Sequence, residues 1–161
     1  MPTNIAIIDL GSARSKLFVG HLSDEGSVVS VAVAKSETGL LNKIQSNGEI
    51  LSEDITNFIE AIAGLLKLAK VENVSSAFLI ATESLRKTTS QAIIVNRLKD
   101  ELHLEANILS PTLEADILYA GVGAVSDNKT AVADIGGGSV QLAWGAGKSI
   151  SIPTGTFALE K

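Results

Sequence analysis

Cysteine is absent from the chain, which removes disulfides, thiolate metal sites and a cysteine nucleophile together. Such a chain is compatible with a reducing cytoplasm, the compartment expected. Aromatic residues are scarce: four Phe, one Trp and one Tyr cannot lay out a base-stacking platform. Charge is thin as well, 19% of residues against roughly 25% in an average soluble protein. What charge there is sums to −5, with a pI near 5.0, so neither nucleic acid nor an anionic membrane is attracted globally. Any bound anion must be captured locally. The start, Met1 to Asp9, lacks a basic region followed by a long apolar stretch, and the most apolar internal segment, Ile59 to Ala69, is broken by Glu60, Gly64 and Lys67. Neither a signal peptide nor a membrane span is expected. What is present is 161 residues with 45% hydrophobic content, enough for one compact domain or for one and part of another.

Ile5-Ala6-Ile7-Ile8 is a β-branched run ended by Asp9 and Gly11, and Lys16 to Leu22 resumes extended character after a short loop. Ser27 to Ala34 follows the turn signal Asp24-Glu25-Gly26 and completes an antiparallel meander. From Ser52 the period changes. Ile55, Phe58, Ile59, Ile62, Leu65, Leu66 and Ala69 fall at helical spacing and mark one broad buried stripe. Helices then alternate with strands: a strand over Ala77–Thr82, a helix over Gln91–Leu102 and a strand over Ala106–Leu109. Ser110 can cap a helix with Pro111 in its first position, continuing through Leu113 to Val125. Ser126-Asp127-Asn128 then marks a boundary, giving a first lobe over 1–125 and a second over 126–161.

The opening meander is repeated in that second part, with strands over Thr130–Asp134, Val140–Trp144 and Ser149–Ile152. Asp9-Leu-Gly-Ser12 and Asp134-Ile-Gly-Gly-Gly-Ser139 occupy the same place in the two copies, the turn of the first hairpin. The second copy is too short to bury a sheet face alone, which implies a homodimer partner or an absent continuation of the lobe.

Glycine- and serine-rich turns let backbone N–H groups converge on an anion, with a hydroxyl donor beside them. Two such turns can grip neighbouring phosphates. The Asp ahead of each repels phosphate directly but can hold a divalent ion or an attacking water. The plain alternative is a bulged hairpin whose Asp caps its own turn. Neither loop carries the Gly-Lys-[Ser/Thr] of a phosphate-binding P-loop, and strand residues, not a helix, follow Gly136-Gly137-Gly138, against a dinucleotide fold. His21 and His103 stand apart from other ligand-spaced groups, so packing accounts for them better than metal. Trp144 reads as a core residue.

The motifs Asp9-Leu-Gly-Ser12, Ala81-Thr82-Glu83-Ser84-Leu85-Arg86, Glu114-Ala115, Tyr119-Ala-Gly-Val122, Asp134-Ile-Gly-Gly-Gly-Ser139 and Ile152-Pro-Thr-Gly155 together resemble the exopolyphosphatase/guanosine pentaphosphate phosphohydrolase family, in order and spacing. The resemblance covers the whole chain and corresponds to the family's first lobe plus the opening hairpins of its second. It implies an α/β fold of the actin/Hsp70/sugar-kinase (ribonuclease H-like) type, a mixed sheet from a meander and β/α units, with the family's active cleft between lobes. By position, Glu114 resembles the catalytic glutamate that directs water at a terminal phosphate. Taken alone it is an ordinary acid in a helix's first turn. Arg86 resembles the phosphate-binding arginine, whose planar fork suits phosphate, and Lys16 matches a position usually basic. Gly11, Ser12, Gly136, Gly137, Gly138 and Ser139 become phosphate-binding positions, and Asp9 and Asp134 candidate ligands of Mg²⁺.

The chain departs from the family pattern at Ala13, where an asparagine amide is usual, with Arg14 after it, and at Gln141, where a glutamate is usual. Pro111-Thr112-Leu113 replaces a more acidic stretch. The expectation is a hydrolase of phosphoanhydride chains, inorganic polyphosphate first and guanosine pentaphosphate second. The alternatives are a catalytically weak phosphate or nucleotide sensor and a kinase of the same superfamily.

Overall fold

A computed structural model describes residues 3–123, 129–145 and 147–158. The chain divides into two compact units, Met1–Asn107 and Ile108–Lys161.

In the first unit, β1 (Asn4–Leu10), β2 (Arg14–Leu22) and β3 (Val28–Glu37) form the expected meander, and β4 (Val74–Ala81) and β5 (Ala106–Ile108) extend it. The sheet order is β3-β2-β1-β4-β5, with β1 antiparallel to β2 and parallel to β4, so the sheet is mixed. Parallel β1 and β4 need a crossover. It is α1 (Ser52–Val71), whose Ile55, Phe58, Ile59, Ile62, Leu65 and Ala69 are buried. Alternate strand residues Ala6, Ile8, Leu10, Leu17, Val19, Leu79 and Ala81 are buried on the same side, each large side chain contributing about 1.5–3 kcal/mol on burial. A further helix, α3 (Gln91–Leu102), ends on His103, whose left-handed conformation (φ 56°) closes the helix. His21 instead meets the Asn4 side chain across β1 and β2 at 2.9 Å. The short α2 (Glu83–Arg86) directly follows β4 and has no counterpart among the sequence expectations, because four residues are too few to set a period.

In the second unit, α4 (Pro111–Gly121) starts as expected, the Ser110 hydroxyl accepting from the Leu113 N–H at 3.2 Å with Pro111 in the first turn. The expected continuation of this helix to Val125 stops at Gly121, and residues 124–128, which include the 125/126 boundary, lie outside those described. β6 (Val132–Ile135), β7 (Val140–Gly145) and β8 (Lys148–Ile152) make an antiparallel sheet in chain order. Ala115 and Tyr119 of α4 pack on Ala143 and Val132, which is why the compact units divide ahead of this helix and not after it. Trp144 corrects its expected place in the core: it is 46% exposed, on the sheet face opposite α4 with Leu142 and Ile150. In β7 the small residue Ala143 faces the helix, and the strand's alternation turns the indole outward.

Candidate functional site

The two Asp–Gly hairpins share one register. In the first, Asp9 pairs with Lys16 and Leu10 with Ser15; in the second, Asp134 pairs with Gln141 and Ile135 with Val140. Each turn therefore runs over four residues, Gly11 to Arg14 and Gly136 to Ser139. The same close approach bears on both glycines, more tightly on Gly11. A Cβ on Gly11 would lie 2.7 Å from the Arg14 carbonyl oxygen, and one on Gly136 3.1 Å from that of Ser139. The Gly136 N–H donates to that Ser139 oxygen at 2.9 Å.

In the first unit the sequence-selected residues gather where β1 and β4 end side by side, with Leu10 beside Ala81. Parallel strands place binding groups at this carboxyl edge. The Gly11–Ser12 turn leaves β1 there, and α2 leaves β4. The Ser84 hydroxyl joins them, donating to the Leu10 carbonyl oxygen at 3.3 Å. Asp9 is partly buried and Lys16 exposed, on the sheet face opposite α1. Arg14, the neighbour of Ala13, engages Glu37 on β3, its Nε donating to Oε1 at 2.6 Å.

Arg86 is held in place by a residue its motif contains but sequence reasoning passed over. Glu83 is only 6% exposed. Its carboxylate accepts from Arg86 Nη2 at 2.9 Å and pairs with Lys87 Nζ at 2.8 Å. Burial by itself would push the Glu83 carboxyl up. Hydrogen bonds from Lys87 and Arg86, together with their charges, outweigh that and hold it below the ordinary glutamate range. The available signal was the spacing, with one acid three residues before one cation and four before another on a helical turn.

In the second unit Glu114 sits in the first turn of α4, half-buried, its N–H donating to the Ser110 carbonyl oxygen at 2.9 Å. A carboxylate there is favoured by the helix N-terminus. Asp134 is exposed on β6, whereas Gln141 is 1% exposed and donates from Nε2 to the Ser139 hydroxyl oxygen at 2.8 Å. The Ile152-Pro-Thr-Gly155 motif finds its reason here. The N–H groups of Thr156 and Phe157 donate to the Gly136 and Gly137 carbonyl oxygens at 3.0 and 3.1 Å. Gly155 lies against the same turn, so closely that a Cβ would come within 2.4 Å of the Gly136 and Gly137 backbone.

The structure thus brings Asp9, Gly11, Ser12, Lys16 and Arg86 to one end of the first unit. Glu114, Asp134 and Gly136 to Ser139 belong to the second. The described residues hold no cluster of three or more His, Asp or Glu suited to a metal. Single hard carboxylates such as Asp9 and Asp134 fit Mg²⁺, which keeps most of its waters and takes one or two carboxylates plus phosphate oxygens. No helix among the described residues is long and apolar enough to cross a membrane.

Comparison with known proteins bears out the family resemblance. The model of the Ppx/GppA phosphatase family matches residues 21–161. A Haemophilus influenzae protein carrying an exopolyphosphatase name is 30% identical over 143 residues, 86% of this chain and 43% of that protein. The guanosine-5'-triphosphate,3'-diphosphate pyrophosphatase of Photobacterium profundum is 27% identical over 151 residues, 92% of this chain and 30% of that protein. The crystal structure of the Aquifex aeolicus Ppx/GppA family member matches with a TM-score of 0.83 and 25% identity, over 99% of this chain and 54% of that one. Ethanolamine utilization protein EutJ from Carboxydothermus hydrogenoformans, an actin-like chain, shares the fold alone, with a TM-score of 0.55 and 20% identity over 96% of this chain and 53% of that one. The expected actin-like α/β class therefore holds. The chain spans under half the length of those two curated relatives and about half of that solved family member.

Proposed function

Because the chain belongs to the Ppx/GppA phosphatase family, we propose that it acts in hydrolysis of phosphoanhydride chains, removing the terminal phosphate from inorganic polyphosphate and, second in preference, from guanosine pentaphosphate. The substrates follow the names of the relatives. The observation that carries the reading is the repeated Asp–Gly hairpin in identical register, a device that offers backbone donors twice along one chain.

In this reading the turns at Gly11–Ser12 and Gly136–Ser139, with Lys16 and Arg86, hold phosphate oxygens, and Glu114 accepts a proton from the water it orients in line with the terminal phosphate. Fixed cations and N–H groups offset charge on the phosphoryl oxygens as the bond to the leaving phosphate breaks. Asp9 and Asp134 are the residues that would hold Mg²⁺, which when bound screens charge between adjacent phosphates. The expected setting is the cytoplasm.

Phosphate release from polyphosphate with Mg²⁺ is the test. Glu114→Gln should lower kcat by about 10²–10⁴-fold, the usual contribution of a general base, while polyphosphate still binds. Release that is indifferent to Glu114 overturns the assignment. A second reading, a sensor that binds without turnover, is favoured by one observation: Gln141 is neutral and committed to the Ser139 hydroxyl where the family usually carries a glutamate. Binding in the wild type with no release would establish it.

A further inference from the structure

Strand register sets two lysines side by side in the first unit. Lys16 on β2 is paired with Asp9 on β1 and, on its other side, with Lys35 on β3. Residues directly opposite one another leave the same face of a sheet, so Asp9, Lys16 and Lys35 form a single row. Their face is the one opposite α1, since the alternating Leu10 and Leu17 are buried beneath that helix's side of the sheet. Both lysines are exposed, and among the described residues neither joins an ion pair. The nearest acid on β3 is already committed: Glu37, one row closer to the turn, pairs with Arg14.

Like charges facing each other on neighbouring strands destabilise a sheet. An anion lying between two ammonium groups turns that repulsion into attraction at both. Lys35 also stands two strand spacings, about 10 Å, from the strand that carries Asp9. That span suits successive phosphates of a chain and not one phosphate group. We propose that Lys35 extends the phosphate-binding row begun by Lys16, so that this face takes a second stretch of an extended polyphosphate. The inference rests on the phosphoanhydride reading and sharpens its substrate class toward long, unbranched polyanions.

The test compares binding of long-chain polyphosphate and of inorganic tripolyphosphate to the purified protein by calorimetry across a salt series, for the wild type, Lys35→Ala, Lys35→Glu, Lys35→Arg and Arg86→Ala. The side chain is exposed on an edge strand, so these variants should keep the fold, as circular dichroism will check. Lys35→Ala should weaken long-chain binding about fivefold, the upper end for an exposed ion contact. Lys35→Glu should weaken it roughly tenfold or more, and both should flatten its dependence on salt. Lys35→Arg should restore it, and tripolyphosphate should respond to none of the three. Long-chain binding that ignores Lys35→Glu, or an equal loss for both probes, overturns the inference. If Arg86→Ala still weakens both probes, the phosphoanhydride reading survives that result. If neither Arg86→Ala nor any Lys35 variant alters either probe, or the wild type binds neither, the reading fails and takes the inference with it.

Discussion

The two Asp–Gly hairpins are the same backbone built twice with opposite chemistry. In the first, the partner of the Asp is Lys16, exposed, followed across the sheet by Lys35. In the second it is Gln141, buried, followed by Ser151, whose hydroxyl oxygen lies 3.5 Å from the same amide that donates to Ser139. One row carries two exposed ammonium groups against one carboxylate, a net positive charge. The other offers neutral groups already spent on one another. The repeat therefore conserves the turn and leaves the flanking row free to differ, which separates what the backbone must do from what the side chains choose.

The comparison breaks first at its glycines, where the expected effects are largest. Gly155→Ala drives a Cβ into the Gly136 and Gly137 backbone at 2.4 Å, and should cost about 3 kcal/mol or more, beyond ordinary overpacking. Gly11→Ala, at 2.7 Å from a carbonyl oxygen, should cost more than Gly136→Ala at 3.1 Å, about 2 against about 1 kcal/mol. Urea unfolding of the three variants gives the order directly. A loss at Gly136 as large as or larger than that at Gly11 would mean that the approach of the carbonyl oxygen does not set the cost at the two turns.

Exchanging the flanking chemistry comes next. Gln141→Glu places a carboxyl where the amide is 1% exposed and directly opposite Asp134. Burial and a like charge both raise a carboxyl's pKa, so the variant should match the wild type near about pH 4 and lose about 2 kcal/mol by about pH 8. The reciprocal Lys16→Gln, at an exposed position, should stay within about 0.5 kcal/mol at either pH. A Gln141→Glu protein whose stability is flat with pH would place that side chain in water, against the burial described.

Much of this arrangement was legible before any coordinates. The α1 stripe from Ile55 to Ala69 announces itself because one face of a long helix repeats seven times at helical spacing, and α4 because Ser110 and Pro111 are both start signals. The hairpins were legible because Asp and Gly recur at the same offsets. What stayed hidden depends on register or on tertiary contact. Lys35 gains meaning only when β3 is aligned against β2, and a one-residue slip would send it to the other face. Trp144 was misjudged because strand alternation says that one face is buried without saying which. Helix α4 joins the second unit through Ala115 and Tyr119 on Ala143, a contact between segments that no local pattern encodes. Glu83 was visible in its motif, but its partners lie one turn ahead on a helix too short to be expected.

The change that separates the two chemistries most cleanly is at Glu83. Glu83→Gln keeps the shape and removes the charge that Arg86 and Lys87 share, so it should cost about 1 kcal/mol near neutrality. The native carboxyl is held below its ordinary range, so its contribution is full above the unfolded glutamate pKa and disappears as pH falls through the folded one. The gap between wild type and Glu83→Gln should therefore close below about pH 4, because the wild type loses stability there. Gln141→Glu opens its gap above that pH, because the variant loses stability as its carboxyl ionises. If both differences titrated in one window, either Arg86 and Lys87 would not be holding the Glu83 carboxyl below its ordinary range, or burial would not be raising a carboxyl at position 141.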